Sequence, residues 1–381
     1  MEISMSFWNI LLAILVFSVI IIIHEFGHFI VAKWNKIAVI EFSLGMGPRL
    51  VSWVKTESGR KLFFLKSSAF FEEHPEYADN TIYSWKLLPF GGSCMMLGEE
   101  EEVDDDRAFG KKSVYARMAV IFAGPFFNFI LAFVLALIVM GFVGYDEPVV
   151  SSVTEGMPMQ EAGVQSGDMI TEINGKHIVL ERELSSYFLF HELSTEPVEL
   201  TVVHEGQEKK LTVTPKLMKQ EDGTEKYKLG FTHGDVRRTR VGGFDVVKYA
   251  LYEVKYWIVT TVQSLGQMIR GKVSAKDISG PVGIVEFVGK TVNKSAPSGA
   301  GVVALQLINI SILLTANLGV MNLLPIPALD GGRLLLLIIE WIRRKPINAK
   351  IENAVNMIGF ALLMVLMVFI LGNDIFKIFA K

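Results

Sequence analysis

The sequence is short of cysteine, histidine and net charge. Cys94 is the only thiol among 381 residues, which excludes an internal disulfide framework and a zinc site made of thiolates. Metal ligands would have to come from carboxylates and from the seven histidines. The formal net charge of −3 gives no sign of a nucleic-acid partner, and none is expected.

Hydrophobic residues, by contrast, make up 51% of the chain, and the mean hydropathy is +0.39. This is too apolar for a soluble protein of this size and predicts a multi-spanning membrane protein with soluble inserts. The first apolar segment, which begins near Phe7, lacks the basic residues that precede the core of a secretory signal and is longer than such a core. We therefore interpret it as a retained transmembrane helix.

Four segments are apolar and long enough to span a bilayer. Lys and Arg residues flank the connection between the first two spans and fill the connection between the last two, which predicts that both connections are cytoplasmic. The termini and the long connection between spans two and three are then expected outside. The spans run from about Phe7 to Ala32, Tyr115 to Val143, Val302 to Trp341 with an interruption, and Ile351 to Leu371.

The first span contains the sequence His24-Glu25-Phe26-Gly27-His28. Residues four apart lie on one face of a helix, so His24 and His28 can offer two imidazoles to one metal ion, with Glu25 beside them. This is the spacing of zinc hydrolases, in which zinc lowers the pKa of a water and the glutamate takes its proton. A chance match is the alternative, but ionisable side chains in a membrane helix are costly unless they face a partner or a cavity.

The third ligand is expected in the third span, within residues 322–333. Pro325 and Pro327 interrupt the helix, which a membrane tolerates only where the freed backbone groups are buried in protein or line a cavity. Asp330 follows in apolar surroundings and needs a cation as its partner. One candidate is an ion pair with Arg333. The other, which we favour, is a zinc ion shared with the two histidines.

Between the first two spans, short strands alternate with glycine bends at Gly45 and Gly47. One interpretation is an ordinary cytoplasmic hairpin. Because the segment is apolar and adjoins the metal-binding helix, the other is a membrane re-entrant β-hairpin whose edge pairs with an extended substrate. The acidic run from Glu99 to Asp106 is expected to be a solvated loop.

The second span carries the sequence Gly124-Pro125-Phe126-Phe127-Asn128. Glycine and proline loosen a helix, and an asparagine inside the membrane needs a polar partner. Asn128 therefore either ties two helices together or supports the site, and the sequence does not decide between these roles.

Residues 148–235 are charged, alternating and rich in turns, and they resemble a PDZ domain through a Gly-Asp turn at 167–168 and a strand that ends with Asn-Gly at 174–175. A PDZ groove adds a peptide strand to its own sheet edge, so a peptide or a C-terminus is an expected partner there; a passive spacer is the alternative. The next segment, 244–270, has helical periodicity. We expect it to lie in the membrane interface, although it is long enough to span.

Together these features resemble the site-2 protease family, and within it the bacterial RseP and RasP group. The resemblance covers essentially the whole chain through the His-Glu-x-x-His motif, the Asn-x-x-Pro-x-Pro-x-Leu-Asp-Gly run, the Gly-Pro-x-x-Asn run and the single PDZ-like insert. It implies a zinc intramembrane endopeptidase of the bacterial cell membrane. The expected substrates are single-pass membrane proteins, such as an anti-sigma factor already cut by another protease or a signal-peptide remnant.

The resemblance also implies roles for single residues. His24, His28 and Asp330 would hold Zn²⁺, Glu25 would be the catalytic base, and Asn322 would contact the substrate strand. The further candidates for substrate binding are Gly45, Gly47, Pro325 and Pro327. Two features depart from the family pattern: Ser93 stands where a tyrosine commonly follows Gly-Gly, and residues 67–84 look like an insertion.

The predicted fold class is a polytopic α-helical membrane protein of about four transmembrane helices, in contact with membrane lipid, with a re-entrant β-hairpin and an inserted α+β PDZ domain. A catalytically silent scaffold and a metal-binding transporter are the competing functions; the transporter would need ionisable residues along several spans. The expected divisions are helix 1 with the zinc motif (1–36), the β-rich loop (37–112), helix 2 (113–146), the PDZ domain (147–236), the surface helix and linker (237–300), the broken helix 3 (301–345) and helix 4 (346–381).

Overall fold

The computed structural model describes residues 7–57, 59–77, 80–99, 101, 103–220, 223–234, 238–272 and 280–379. Helices dominate these residues. In chain order the α-helices are α1 (Phe7–Trp34), α2 (Ser68–Glu72), α3 (Val114–Phe142), α4 (Pro158–Glu161), α5 (Glu181–Phe190), α6 (Phe244–Ile269), α7 (Pro281–Ser295), α8 (Ala300–Asn322), α9 (Asp330–Arg343) and α10 (Ala349–Phe379).

The strands form one three-stranded sheet, one four-stranded sheet and three two-stranded pairs. Their bounds are β1 (Val39–Thr56), β2 (Gly59–Phe64), β3 (Ile82–Met96), β4 (Tyr145–Asp146), β5 (Val150–Val153), β6 (Met169–Ile173), β7 (Lys176–His177), β8 (Val198–His204), β9 (Gln207–Val213), β10 (Lys216–Lys219), β11 (Glu225–Lys228), β12 (Phe231–His233) and β13 (Arg238–Thr239). The sheet orders are β2-β1-β3 and β7-β6-β8-β9, and the pairs are β10-β11, β12-β5 and β13-β4.

The chain divides into two compact units, residues 1–135 with 273–381 and residues 136–272. Helices α1, α3, α8 and α10 contain apolar segments of 23–29 residues, long enough to cross a bilayer that needs roughly 20. The predicted fold class is therefore confirmed in its four candidate spans and its β-rich insert. The third predicted span is in fact two helices, because α8 ends at Asn322 and α9 begins only at Asp330.

In the first unit, the three-stranded sheet lies against α1. Residues 41–44 of β1 pair on both sides, with residues 92–95 and 82–85 of β3. The bend in β1 needs its two glycines, since Gly45 and Gly47 have φ of 84° and 87°, and a Cβ on Gly45 would collide with the carbonyl of Leu88. Phe29 of α1 packs against Phe42 in this sheet. Whether the sheet enters the membrane stays a prediction.

Helix α7 stands where the sequence analysis expects a linker. Proline at its first position suits a helix start, and the carboxylate of Asp374 accepts hydrogen bonds from the N–H groups of Gly280 and Gly283 at 3.1 and 2.9 Å. Its buried Val288 packs in one cluster with Ala13 of α1 and Ile310 of α8. The sequence analysis does not identify this helix, because its amphipathic pattern is short.

In the second unit, the four-stranded sheet and helix α5 enclose a core that includes Ile170, Leu184 and Leu200. Helix α6 belongs to this unit and is fastened to α5 by polar contacts. Arg182 forms an ion pair with Glu253, and the hydroxyls of Ser186 and Tyr256 are 2.8 Å apart. The α6 face that carries Glu253 is thus covered by protein.

Candidate metal centre

Helix α1 supplies two buried imidazoles one turn apart. His24 and His28 are each 7% exposed, and their rings meet edge to face with centroids 4.9 Å apart. Most residues of this helix are apolar, which suits a helix that satisfies its own backbone hydrogen bonds in a membrane. The four-residue spacing puts both rings on the same side. The predicted pairing of the two histidines is therefore present in the fold.

Helix α3 packs directly against these rings because two glycines lie at the contact. A Cβ on Gly27 of α1 would collide with the carbonyl of Ala123, and a Cβ on Gly124 would collide with both imidazoles. Small residues let membrane helices approach in this way. One turn earlier, the carbonyl of Val120 lies 2.8 Å from Nδ1 of His28, so that nitrogen donates its proton to Val120. The sequence analysis missed this role of Val120.

Asn128 lies one turn beyond Gly124 on the same face of α3. Its side chain is fully buried, and the amide nitrogen Nδ2 is 3.1 Å from Nδ1 of His24. Its backbone carbonyl accepts a hydrogen bond from the Thr315 hydroxyl of α8 at 3.1 Å. Asn128 therefore contacts a candidate metal ligand and also joins two helices, so the structure contains both features that the sequence left open.

Asp330 reaches the imidazoles from the start of α9. The chain turns sharply between α8 and α9, with Ala328 in the left-handed region at φ 71°. Gly331 and Gly332 follow Asp330, and a Cβ on either would collide with backbone carbonyls of this turn. The glycines of the Asp-Gly-Gly sequence thus allow the turn to close tightly behind the carboxylate.

The three side chains have the spacing of a tetrahedral metal site. Oδ2 of Asp330 lies 3.1 Å from Nε2 of His24 and 3.5 Å from Nε2 of His28, and the two Nε2 atoms are 3.3 Å apart. Ligand atoms on a tetrahedral zinc ion with bonds of about 2.0–2.1 Å stand about 3.3 Å from one another. Oδ2 of Asp330 is also buried without a regular hydrogen bond. These residues fit a zinc ion.

The rival explanation for Asp330 was an ion pair with Arg333. In the structure Arg333 pairs instead with Glu99, which belongs to the acidic run after β3. No lysine or arginine of the described residues forms an ion pair with Asp330. Among the described residues, the ion-pair contacts of this carboxylate are with the two imidazoles.

Glu25 lies between the metal-binding side chains and strand β3. The backbone N–H of Cys94 donates a hydrogen bond to its carboxylate. Gly92 makes room for it, because a Cβ there would come within 3.3 Å of Cγ of Glu25. The edge of the sheet thus reaches the residue with the predicted role of base.

A cavity of about 760 Å³ opens beside these groups. It brings together Asn322 and all four predicted catalytic and metal-binding residues. Its lining includes His24, Glu25, His28, Asn322 and Asp330 as well as Ser93 to Glu99 from the end of β3. The other four substrate-binding candidates do not line it: Gly45 and Gly47 form the bend of β1, and Pro325 and Pro327 lie in the turn before α9.

The comparison with known families and proteins agrees with this geometry. The sequence profile of peptidase family M50 matches residues 12–366. A protein of Clostridium acetobutylicum that carries a provisional zinc metalloprotease name is 37% identical over 371 residues, which cover 97% of this chain and 98% of that protein. The zinc metalloprotease RasP of Bacillus licheniformis is 30% identical over 429 residues, covering 96% and 98%.

Among solved structures, this chain is similar to PDZ domains of two SdrC-like proteins. The domain from Listeria monocytogenes is 22% identical, with a TM-score of 0.20, and the match covers 23% of this chain and 88% of the domain. The domain from Listeria innocua is 20% identical, with a TM-score of 0.20, and the match covers 25% of this chain and all of the domain.

Proposed function

Because the chain belongs to peptidase family M50 and is a membrane zinc metalloprotease, we propose that it is an intramembrane endopeptidase that cleaves single-pass membrane proteins. One observation carries the proposal. Two imidazoles and a carboxylate with tetrahedral spacing come from apolar helices, beside a cavity that also holds a glutamate. A peptide bond can reach these groups only at the depth of the helices.

The proposed ligands are Nε2 of His24, Nε2 of His28 and Oδ2 of Asp330. Zinc held there would lower the pKa of a water and polarise the substrate carbonyl. Glu25 would take the proton of that water and pass it to the leaving amine. The hydrogen bond from the Cys94 backbone N–H supports this role, because it fixes the carboxylate at the wall of the cavity.

The substrate must be extended where it is cut, since helical hydrogen bonds shield the peptide group. We propose that the unwound segment pairs with the end of β3 and that the side chain of Asn322 binds its backbone. Gly45, Gly47, Pro325 and Pro327 would act indirectly, by shaping the bend of β1 and the turn before α9. This arrangement needs the sheet at membrane depth, as a re-entrant element.

The remaining features of the proposal concern substrates and orientation. The enzyme would act in the bacterial cell membrane, with its termini and the PDZ domain (147–236) outside. Its substrates would be anti-sigma factors already cut by another protease, or signal-peptide remnants. The insert would bind a peptide or a C-terminus, or exclude substrates that have not been trimmed.

Glu25→Gln tests the chemistry without removing a metal ligand. We expect cleavage of a co-expressed single-span protein to fall by about 100- to 10,000-fold, with zinc content unchanged. Glu73→Gln, a change at an exposed position, is the control and should cleave like the wild type. Cleavage by the Glu25 variant at the wild-type rate would refute its role.

The scaffold function is the rival that the same experiment addresses. A silent scaffold would hold partners whether or not Glu25 is present, and the purified protein would contain no zinc. Metal analysis of the wild type therefore separates the two functions before any substrate is known.

A further inference from the structure

Asn128 presents its polar side chain to His24 on the side away from Asp330. The amide lies 3.1 Å from Nδ1 of His24, while Oδ2 of Asp330 lies 3.1 Å from Nε2 of the same ring. The other end of the amide has no partner among the described residues. Within the part of the chain that the structure describes, its only side-chain hydrogen bond is therefore the one to this imidazole.

The neighbouring histidine shows what such a contact can do. Nδ1 of His28 faces the carbonyl of Val120 at 2.8 Å, and a carbonyl can only accept. Nδ1 must then carry the proton of the neutral ring, which leaves the lone pair on Nε2, toward Asp330. For His28, the backbone of α3 thus selects the tautomer that can bind a metal through Nε2.

His24 needs the same tautomer if its Nε2 is to bind the same ion. An amide NH₂ facing Nδ1 would require Nδ1 to accept and would put the ring proton on Nε2, where it blocks a metal bond. A half-turn of the Asn128 amide exchanges its nitrogen and oxygen at nearly the same positions. Oδ1 then accepts the Nδ1 proton of His24.

We propose that Asn128 is a positioning residue whose amide oxygen accepts the Nδ1 proton of His24 and so keeps Nε2 free for zinc. The inference rests on the proposed function. Val120 and Asn128, two turns apart on α3, hold one imidazole each, and Gly124 between them lets the helix come close enough. The Thr315 hydroxyl donates to the backbone carbonyl of Asn128, a contact that does not involve the amide. Partners of this kind orient metal-binding imidazoles in many proteins.

Two substitutions at Asn128 test whether its hydrogen-bond acceptor, or only the volume of its side chain, is needed for zinc binding. Asn128→Leu keeps the size and removes the acceptor, so zinc affinity, measured by competition with a chelator, should fall by about 10- to 100-fold. Asn128→Asp keeps an acceptor and has no NH₂ group, so its affinity should stay close to that of the wild type. Its cobalt-substituted form should also keep the wild-type absorption spectrum. If the leucine variant does not fold, Asn128→Ala gives the same comparison.

Thr315→Val is the matched control, because it removes a buried hydrogen bond of Asn128 without touching the amide. It should lower thermal stability and leave zinc affinity unchanged. The inference is overturned if the aspartate variant loses zinc as the leucine variant does, if the leucine variant binds zinc like the wild type, or if Thr315→Val weakens zinc equally. A wild-type protein that binds no zinc would instead refute the proposed function.

Discussion

Two buried carboxylates of the first unit have opposite surroundings. Glu41 in β1, with 2% of its side chain exposed, accepts two hydrogen bonds from Arg49 at 2.8 and 2.9 Å, and Lys86 lies 3.5 Å away. Asp330, with 15% of its side chain exposed, lies against two imidazoles and forms no ion pair with a lysine or arginine of the described residues. One carboxylate is neutralised by the chain itself, and the other is not.

Glu41 is one of several carboxylates of low exposure that pair with arginine. Glu340 pairs with Arg117, and the buried Glu253 pairs with Arg182. Asp330 forms no ion pair with a lysine or arginine of the described residues, although Arg333 is three residues away in sequence. Its carboxylate lies against two imidazoles at the spacing of metal ligands. A buried charge without a cation is costly, so its partner is expected to come from solution as a metal ion.

The largest effect should come from removing the unpaired carboxylate. Asp330→Asn keeps the size and removes the charge, so zinc affinity should fall by more than about 100-fold and cleavage should be lost. Zinc content and substrate cleavage measure this directly. If the variant kept zinc at full occupancy, Asp330 would not be a ligand and the contrast with Glu41 would disappear.

The second test removes the paired carboxylate. Burial by itself raises the pKa of Glu41, but the hydrogen bonds from Arg49 and Ser84 outweigh burial, and the pKa lies below its ordinary value. The ionised carboxylate therefore stabilises the folded state at pH values above the unfolded pKa near 4.5. This stabilisation is lost as the pH falls through the lower pKa of the folded state. Glu41→Gln should cost about 3 kcal/mol, because it removes the buried charge with which Arg49 and Lys86 pair.

Thermal unfolding of the purified Glu41 variant measures this loss, and its zinc affinity should equal that of the wild type. A large fall in zinc affinity would mean that the two carboxylates do not have separate roles.

A smaller effect should follow from filling the gap between α3 and the imidazoles. In Gly124→Ala the new methyl group collides with both rings, so zinc affinity should fall by about 10- to 100-fold. Gly141→Ala in the same helix is the control, since its Cβ would meet only Val246, at 4.0 Å. Equal zinc affinity in both variants would show that the rings can shift without cost.

The smallest effect is expected at a carboxylate whose partner is exposed. Asp168 lies 2.5 Å from Nδ1 of His204, and this hydrogen bond raises the pKa of the histidine above 6.5. The stabilisation is complete below pH 6.5 and fades as the pH rises through the raised pKa. The unfolding midpoint should therefore change slightly less between pH 6 and pH 8 in His204→Gln than in the wild type. If the unfolding midpoint changed equally with pH in both proteins, this prediction would be wrong.

The convergence of His24, Glu25, His28 and Asp330 could be predicted, because helical spacing and the cost of charge in apolar segments depend on sequence alone. The contacts of Val120 and Gly124 could not. Apart from Arg117 and Asn128, helix α3 is apolar on nearly every side, so its sequence does not show that Val120 and Gly124 meet the imidazoles of α1. Such long-range contacts are absent from local patterns.

The acidic run from Glu99 to Asp106 also depends on a long-range contact. The sequence predicts a solvated loop there, whereas in the structure the Glu99 side chain forms an ion pair with Arg333 at the cavity. Its partner is more than two hundred residues away, so no local rule could identify the pair. Because Arg333 pairs with Glu99, the predicted alternative of an ion pair between Arg333 and Asp330 is not formed.

The tight turn between α8 and α9 has a mechanical consequence. Because Gly331 and Gly332 press against the carbonyls of that turn, Asp330 cannot move independently of the end of α8. A divalent ion shared by Asp330 and the two histidines would act as a cross-link between α1 and this corner. Loss of the ion would then loosen the joint between the opening helix and the third span, so the ion would contribute to the rigidity of the resting protein as well as to hydrolysis.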